Sequence, residues 1–355
     1  AIGGFAQDIY FPDTVKLIDE VFVLAKKDLD ESGLKITKID SLIIETKALG
    51  DLSSLLSENS TVFIKSCGRG SLATASFRGT NASHTKVVWN NIVLNSPMLG
   101  MVDMSQIPVS AGDNIILYHG SASLSKSANA IGGLIELNSA PIWEKGIKAK
   151  IVSSVGSYSS YDNLAELNIG NKKFQSVSRV YHSMSQNDFP FINNDITDTI
   201  TDYRKNADYT RYGIIQEFYL RTGKKSNASV KFWAQDSDRG VPGLTTNEGG
   251  PNSSKNRQNN ALRIFSVNYV YYGEKTKLEL NSGANQQIAT YNSTNYINGY
   301  GFMPVVHVIS KTLSVFNSAS LKYLLSEKTE LSSRISYNYH DVNSIEWIRQ
   351  QSYDT

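Results

Sequence analysis

From residue 146 onward the chain alternates apolar and polar side chains with a period of two, over and over. Ile147, Ala149, Ile151 and Val155 share one face of an extended segment, and Lys148, Lys150 and Ser154 share the other. Tyr212, Ile214, Phe218 and Leu220 alternate with Arg211, Glu217 and Arg221, and Phe265, Val267, Tyr269 and Tyr271 alternate with Arg263, Ser266 and Asn268. Successive side chains of a strand point to opposite sides, so the pattern predicts amphipathic strands. Short connections at 170–173, 222–227, 272–275 and 326–330 exchange with long polar ones at about 186–206, 239–257 and 291–310. Tight turns on one rim and long loops on the other are the layout of an antiparallel transmembrane β-barrel. The strands run about ten to fifteen residues, longer than the five or six usual in a soluble sandwich.

Composition agrees. The chain has 355 residues, 40% of them hydrophobic, and 19 Tyr against 13 Phe and 4 Trp, which suits β-structure and interfacial aromatic belts. No run approaches the ~18 apolar residues of a membrane-crossing helix, which leaves a barrel open because its apolar residues sit at alternate positions. The 35 basic and 33 acidic residues leave a formal charge of +2 and form no basic stripe along the sequence, so no nucleic-acid partner is expected. The single Cys67 excludes an internal disulfide.

The N-terminal part has a different character. Residues 1–6, ahead of Gln7, resemble the end of a secretory signal, and residues 7–33 form a separate N-terminal segment around "DEVFVLAKK". "LKITKIDSLIIET" at 34–46 is expected to be extended, and "DLSSLLSENS" is expected to be a short helix starting near Asp51. Compact strands broken by glycine follow, in "TVFIKSCGRG", "TKVVWNNIVLN", "GDNIILYHG" and "GLIELNS". Residues 34–140 are thus expected to form a small α+β unit ahead of the strands at 146–355.

"FRGTNASH" at 77–84, "VLN" at 93–95, "VDMSQIP" at 102–108 and "NAIGGLIELNS" at 129–139 resemble the plug of the TonB-dependent outer-membrane receptors, and among these the cobalamin (vitamin B12) transporters. Upstream, Asp19, Glu20, Val21, Phe22, Val23, Leu24 and Ala25 resemble the TonB box, with Leu24 where the family has Thr. The resemblance implies a bacterial outer-membrane protein that imports a scarce large nutrient, cobalamin or alternatively a ferric siderophore. TonB would pair with the box as an added β-strand, which needs alternating side chains and free backbone groups. It also places ligand contacts at Leu72, Thr74 and Asn81 and on the apical loop, at Pro97, Met98, Leu99 and Met101.

Arg78 is expected to end a strand and latch the plug to carboxylates of the barrel. Gly132 and Gly133 are expected to let the last plug strand pass close to the wall. Asn90-Asn91 replaces the family's Asp-Gly turn and still favours positive φ. Calcium is a further expectation, on Asp236, Asp238 and Glu248, because carboxylates are the hard ligands it prefers. No cofactor is implied beyond that.

No enzyme is expected. Ser83 and His84, read as neighbours on a strand, point to opposite faces, and no Gly-x-Ser-x-Gly motif occurs. Nine strands and the start of a tenth are counted after residue 146, against the ~22 of a barrel that encloses a folded plug. The chain is therefore expected to carry only the first part of its barrel, the rest lost by truncation or supplied by another polypeptide. Outer-membrane lipid and a surface lipoprotein are the remaining expected partners. The reading from a different class is a surface-binding protein or adhesin that kept the plug fold without transport.

Overall fold

The computed structural model describes residues 35–120, 130–193, 200–244, 254–297, 299–326 and 329–348. The first described elements are β1 (Ile36–Lys38), α1 (Ser41–Thr46) and α2 (Leu52–Asn59), followed by β2 (Phe63–Ser66) and β3 (Ala73–Ser76). Asp51 caps α2 as expected, its side chain accepting from Ser54 N at 2.9 Å. The extended reading of 34–46 holds only for β1. Asp40 accepts from Leu42 N at 2.7 Å, and that cap turns the chain into α1 after three strand residues.

The strands β4 (Thr85–Trp89), β5 (Ile92–Val93), β6 (Asn114–His119) and β7 (Gly133–Asn138) join β1 in a sheet ordered β1-β6-β7-β4-β5. β4 and β7 are parallel and the other pairs antiparallel. Asn90 and Asn91 turn β4 into β5 with φ of 45° and 71°, the left-handed pair a tight hairpin needs. Residues 82–84 form a 3-10 turn instead of a strand, with His84 exposed. Gly132 and Gly133 clear space for the plug's own Thr80 and Phe77: an added Cβ would lie 2.5 Å from the Thr80 Oγ1 and 2.6 Å from the Phe77 ring. The wall plays no part in that approach.

Nine strands form the second sheet among the described residues, ordered β18-β17-β16-β15-β14-β13-β10-β9-β8. They are β8 (Gly146–Gly156), β9 (Ser160–Gly170), β10 (Phe174–Ser185), β13 (Tyr209–Arg221), β14 (Ser226–Val241), β15 (Asn256–Tyr272), β16 (Thr276–Ile297), β17 (Gly301–Ser326) and β18 (Thr329–Ile348). The intervening β11 (Pro190–Asn193) and β12 (Ile200–Tyr203) pair only with each other. The expected loop at 291–310 is instead the tip of a hairpin, because cross-strand pairing continues past an irregularity at Ser293–Thr294 to Ile297 and Gly301. That makes β16 22 residues long and β17 26, beyond the expected ten to fifteen.

The burial of this sheet is inverted relative to a soluble protein. Arg179, Arg211, Glu217, Lys231 and Arg239 are buried, and Tyr212, Ile214, Phe218, Leu220 and Phe232 are exposed. From Tyr212 to Leu220, at ~3.3 Å per residue and a tilt of ~45°, the apolar face rises roughly 20 Å, close to the ~25 Å band of an outer-membrane barrel. The first unit packs on the polar face. Trp89 meets Trp233 with ring centroids 5.5 Å apart, and Ile215, Trp233, Ile264 and Phe316 join one apolar cluster with Leu52, Leu55 and Leu56 of α2. Gly283 leaves room for Ile92, whose Cδ1 would be 2.5 Å from an added Cβ. The architecture is a plug seated on the inner side of a curved wall.

Candidate functional site

Polar groups fix the plug to the wall, and most of the charge comes from the wall. Arg239 donates to Asp103 Oδ2 at 2.7 Å, to Gly70 O at 3.1 Å and to Gln258 Oε1 at 2.9 Å. The other Asp103 oxygen accepts from Ala73 N and from Ser105, so one carboxylate ties β3, the turn at 104–106 and the wall together. Arg179 reaches Asp113 of the plug at 2.6 Å and Glu166 and Glu217 of the wall at 2.7 and 3.1 Å. Lys231 donates to Asn90 Oδ1 at 2.5 Å and to Ser139 O at 2.9 Å, and Arg211 donates to Ser105 O. In the opposite sense, Arg69 of the plug pairs with Asp162.

Arg78 is not the latch. It follows β3 in an exposed turn with φ of 50° and makes no ion pair among the described residues. A strand ending at Ser76 cannot carry it to the wall.

A cavity of about 180 Å³ lies between the apical loop of the plug and the wall, toward the long-loop rim. Asn95 builds its plug side: Oδ1 accepts from Val87 N, and Nδ2 donates to Thr85 O and Gly100 O at 2.9 Å each. That clamps the loop at 96–101, which Ser96 closes by accepting from Gly100 N at 2.8 Å. Leu72, Leu99 and Met101, three of the residues named as ligand contacts, line the cavity together with Asp103 and Gln106. The wall contributes Gln235, Arg239, Gln258, Asn260 and Gln287. The other expected contacts fall elsewhere. Thr74 pairs with Lys65 in the β2–β3 ladder, and Asn81 is exposed ahead of the 3-10 turn. Pro97 is outside the lining, and Met98 Sδ accepts from Ser310 Oγ at 3.1 Å.

The chemistry of this cavity is apolar and amide. Its two charged groups, Asp103 and Arg239, neutralise one another. Gln235 and Gln287 spend their amide N–H groups on plug carbonyls, at 2.9 and 2.8 Å. Gln106 Oε1 and Asn260 Nδ2 are buried without a hydrogen-bond partner among the described residues, one an acceptor and one a donor. Gln106 lies within the family-like stretch at 102–108, but nothing in the sequence links it to Asn260 across more than a hundred residues.

Asp236 and Asp238 do not make a calcium site with each other. Both lie on the outer face of β14; Asp236 takes a two-pronged bond from Arg263 at 2.8 and 2.7 Å, and Asp238 pairs with Arg257. Carboxylates so committed have given up the lone pairs a cation needs. No three His, Cys, Asp or Glu side chains among the described residues are grouped to hold a metal ion. Glu248 and the expected TonB box, Asp19, Glu20, Val21, Phe22, Val23, Leu24 and Ala25, lie outside the described residues.

A plug lodged on the polar face of a lipid-facing wall defines a class, and residues 28–134 match the family described as the TonB-dependent receptor plug domain. The plug is that of a TonB-dependent receptor, the wall has the fold of that class, and the protein is one of the bacterial outer membrane. A stretch of 102 residues is 30% identical to the vitamin B12 transporter BtuB of Photobacterium profundum, covering 29% of this chain and 16% of that one. The siderophore receptor PiuA of Acinetobacter baumannii superposes with a TM-score of 0.63 at 13% identity, over 87% of this chain and 46% of that one. The ferripyoverdine receptor of Pseudomonas aeruginosa gives 0.71 at 10% identity, over 92% and 45%. The chain spans about half the length of these solved receptors and a smaller share of the B12 transporter.

Proposed function

We propose that this protein imports a corrinoid, cobalamin or a close relative, across the outer membrane, using TonB bound at residues 19–25 to move the plug. The observation that carries the ligand choice is the neutrality of the cavity between plug and wall. A buried site that selects a ligand does so through a few fixed polar groups on an apolar lining. Here Leu72, Leu99 and Met101 offer apolar surface to a flat macrocycle. Gln106, Gln235, Gln258, Asn260 and Gln287 give the lining an amide character that suits carboxamide side chains. A strongly anionic iron chelate would call for unpaired cations, whereas Arg239 is already bound to Asp103. The 30% identity to a vitamin B12 transporter supports the same choice.

Titration of the purified protein with cyanocobalamin and with a panel of ferric siderophores tests the ligand. Saturable cyanocobalamin binding is expected, weakened about thirtyfold when Gln106→Leu and Asn260→Leu are combined, at ~1 kcal/mol per lost hydrogen bond. Tight siderophore binding with none of cyanocobalamin would overturn the choice. Deleting residues 19–25 separates transport from adhesion: radiolabelled cobalamin uptake should stop while binding at the cell surface persists. Uptake that continues would remove the energy-coupling assignment.

A further inference from the structure

The sequence shows no basic stripe, yet the topology assembles one. Three short turns lie side by side along one rim, because β9-β10, β13-β14 and β15-β16 are contiguous in the sheet. The first carries Lys172 and Lys173, the second Lys224 and Lys225 beside Arg221, the third Lys275 with Lys277 at the strand start. Glu274 is the single acid among residues 170–173, 221–226 and 272–277, within a chain whose total formal charge is only +2. In the sequence, the long connections 186–208 and 242–255 have the opposite balance, with six acidic and three basic residues. Lys172, Lys173, Lys224 and Lys275 are exposed and make no ion pair among the described residues; Lys225 has only a 3.5 Å contact with Glu274.

What lies next to these cations says what they face. Phe174 and Phe218, stacked with centroids 6.3 Å apart, sit on the outer face at the foot of the wall, with Tyr271 farther along. Aromatic side chains in that position mark the membrane–water interface. The lysines project from turns just beyond it, at the depth of lipid phosphates. Successive turns are two strands, or about 10 Å, apart, which is about one screening length at physiological salt, so their fields overlap. Trp143 stacks under Arg221 at 4.5 Å, and the two line a groove of about 490 Å³ with Lys224, Lys225, Asn227 and Tyr272.

We propose that this rim is a binding surface for the phosphate headgroups of anionic phospholipids in the periplasmic leaflet, with Lys172, Lys173, Arg221, Lys224 and Lys225 as its cations. Short turns face the periplasm in outer-membrane barrels, which assigns the leaflet. An arc of cations spread along the foot of a lipid-facing wall matches a plane of headgroups better than it matches a compact acidic protein. Each lysine near such a surface adds roughly fivefold to binding.

The test is lipid retention. The purified protein is equilibrated with mixed phosphatidylethanolamine and phosphatidylglycerol in detergent, and the lipids that stay bound are counted by native mass spectrometry. About tenfold enrichment of phosphatidylglycerol is expected at 50 mM NaCl, falling below twofold at 0.5 M. The combined K172Q, K173Q, K224Q and K225Q substitutions should abolish the enrichment, and the matching lysine-to-arginine set should keep it. These turns are exposed, and circular dichroism identical to wild type would establish that the variants fold. Equal retention of the two lipids by the wild type, enrichment that survives high salt, or enrichment undiminished in the glutamine variant would each overturn the proposal.

Discussion

At the scale of single residues, the seating of the plug depends on which charges have partners. Arg239 and Asp103 are both largely buried, and breaking such a pair leaves an uncompensated charge at a cost of ~3–5 kcal/mol. Arg239→Ala should therefore lower the stability of the plug by about 3 kcal/mol in denaturant titrations. Arg78→Ala, at an exposed turn, should stay within ~0.5 kcal/mol of wild type. Asp113 is the opposite case. Its side chain keeps contact with solvent, but crowding by the plug and wall desolvates it, and with the nearby Glu217 and Glu166 this pushes its carboxyl up to about 6, even though Arg179 draws it down. A carboxyl whose folded pKa lies above its unfolded value takes up a proton on folding, so its charge destabilises the fold above pH 6, and that cost fades as the pH falls toward 4. Asp113→Asn should be at least as stable as wild type in thermal melts at pH 7.5, with the two converging by pH 4.5; a variant clearly less stable at pH 7.5 would refute the sign. None of this pairing was legible in the sequence. Arg78 stood inside the family-like run at 77–84 and drew the latch assignment, whereas Arg179, Arg211 and Arg239 look like ordinary polar positions of alternating strands. Only the register of the wall against the plug shows what they face.

At the scale of elements, the β4–β5 hairpin joins the plug's sheet to the wall. Its two asparagines do different work. Asn90 is buried and takes Lys231 Nζ and Ser139 N on its side-chain oxygen, while Asn91 is exposed and meets Asn281 at 2.8 Å. Glycine tolerates the left-handed turn at either position. Asn90→Gly should therefore cost about 2 kcal/mol through the acceptor lost to Lys231 Nζ and Ser139 N, and Asn91→Gly less than ~0.5 kcal/mol, as read by denaturation of the refolded protein. The hairpin itself was visible in "TKVVWNNIVLN", since the turn chemistry is local. So was α2, announced by Asp51. The elements that were misread had competing local signals. Within "LKITKID" only Ile36–Lys38 form a strand, because two residues later Asp40 satisfies an amide and a helix wins. At 291–310 the density of Asn, Gly and Tyr looked like a loop, although cross-strand pairing carries both strands through it, from Thr276↔Tyr323 to Ile297↔Gly301. Long-range pairing overrode composition there. In the cavity, Leu72, Leu99 and Met101 on the plug side were pointed to by the family resemblance in the plug motifs. The wall half was not, because Gln235, Asn260 and Gln287 come from three different strands.

At the scale of the whole molecule, the account rests on the direction of the wall's two faces. The buried face carries Arg179, Glu217, Lys231 and Arg239 against the plug, and the exposed face carries Tyr212, Ile214, Phe218 and Phe232. This arrangement is stable only if lipid covers the apolar side, since leaving it in water would forgo about 25 cal/mol per Å² of apolar surface. The most direct measurement is a nitroxide scan along β13 in lipid bilayers, with cysteines introduced singly from 211 to 220 and Cys67 replaced by Ser. Collision with oxygen, which concentrates in lipid, should peak at 212, 214, 218 and 220, while labels at 211, 215, 217 and 219 should be inaccessible both to oxygen and to a water-soluble nickel complex. Accessibility to the nickel complex at 212 through 220, or oxygen accessibility without a two-residue period, would contradict the placement of the plug inside and the membrane outside.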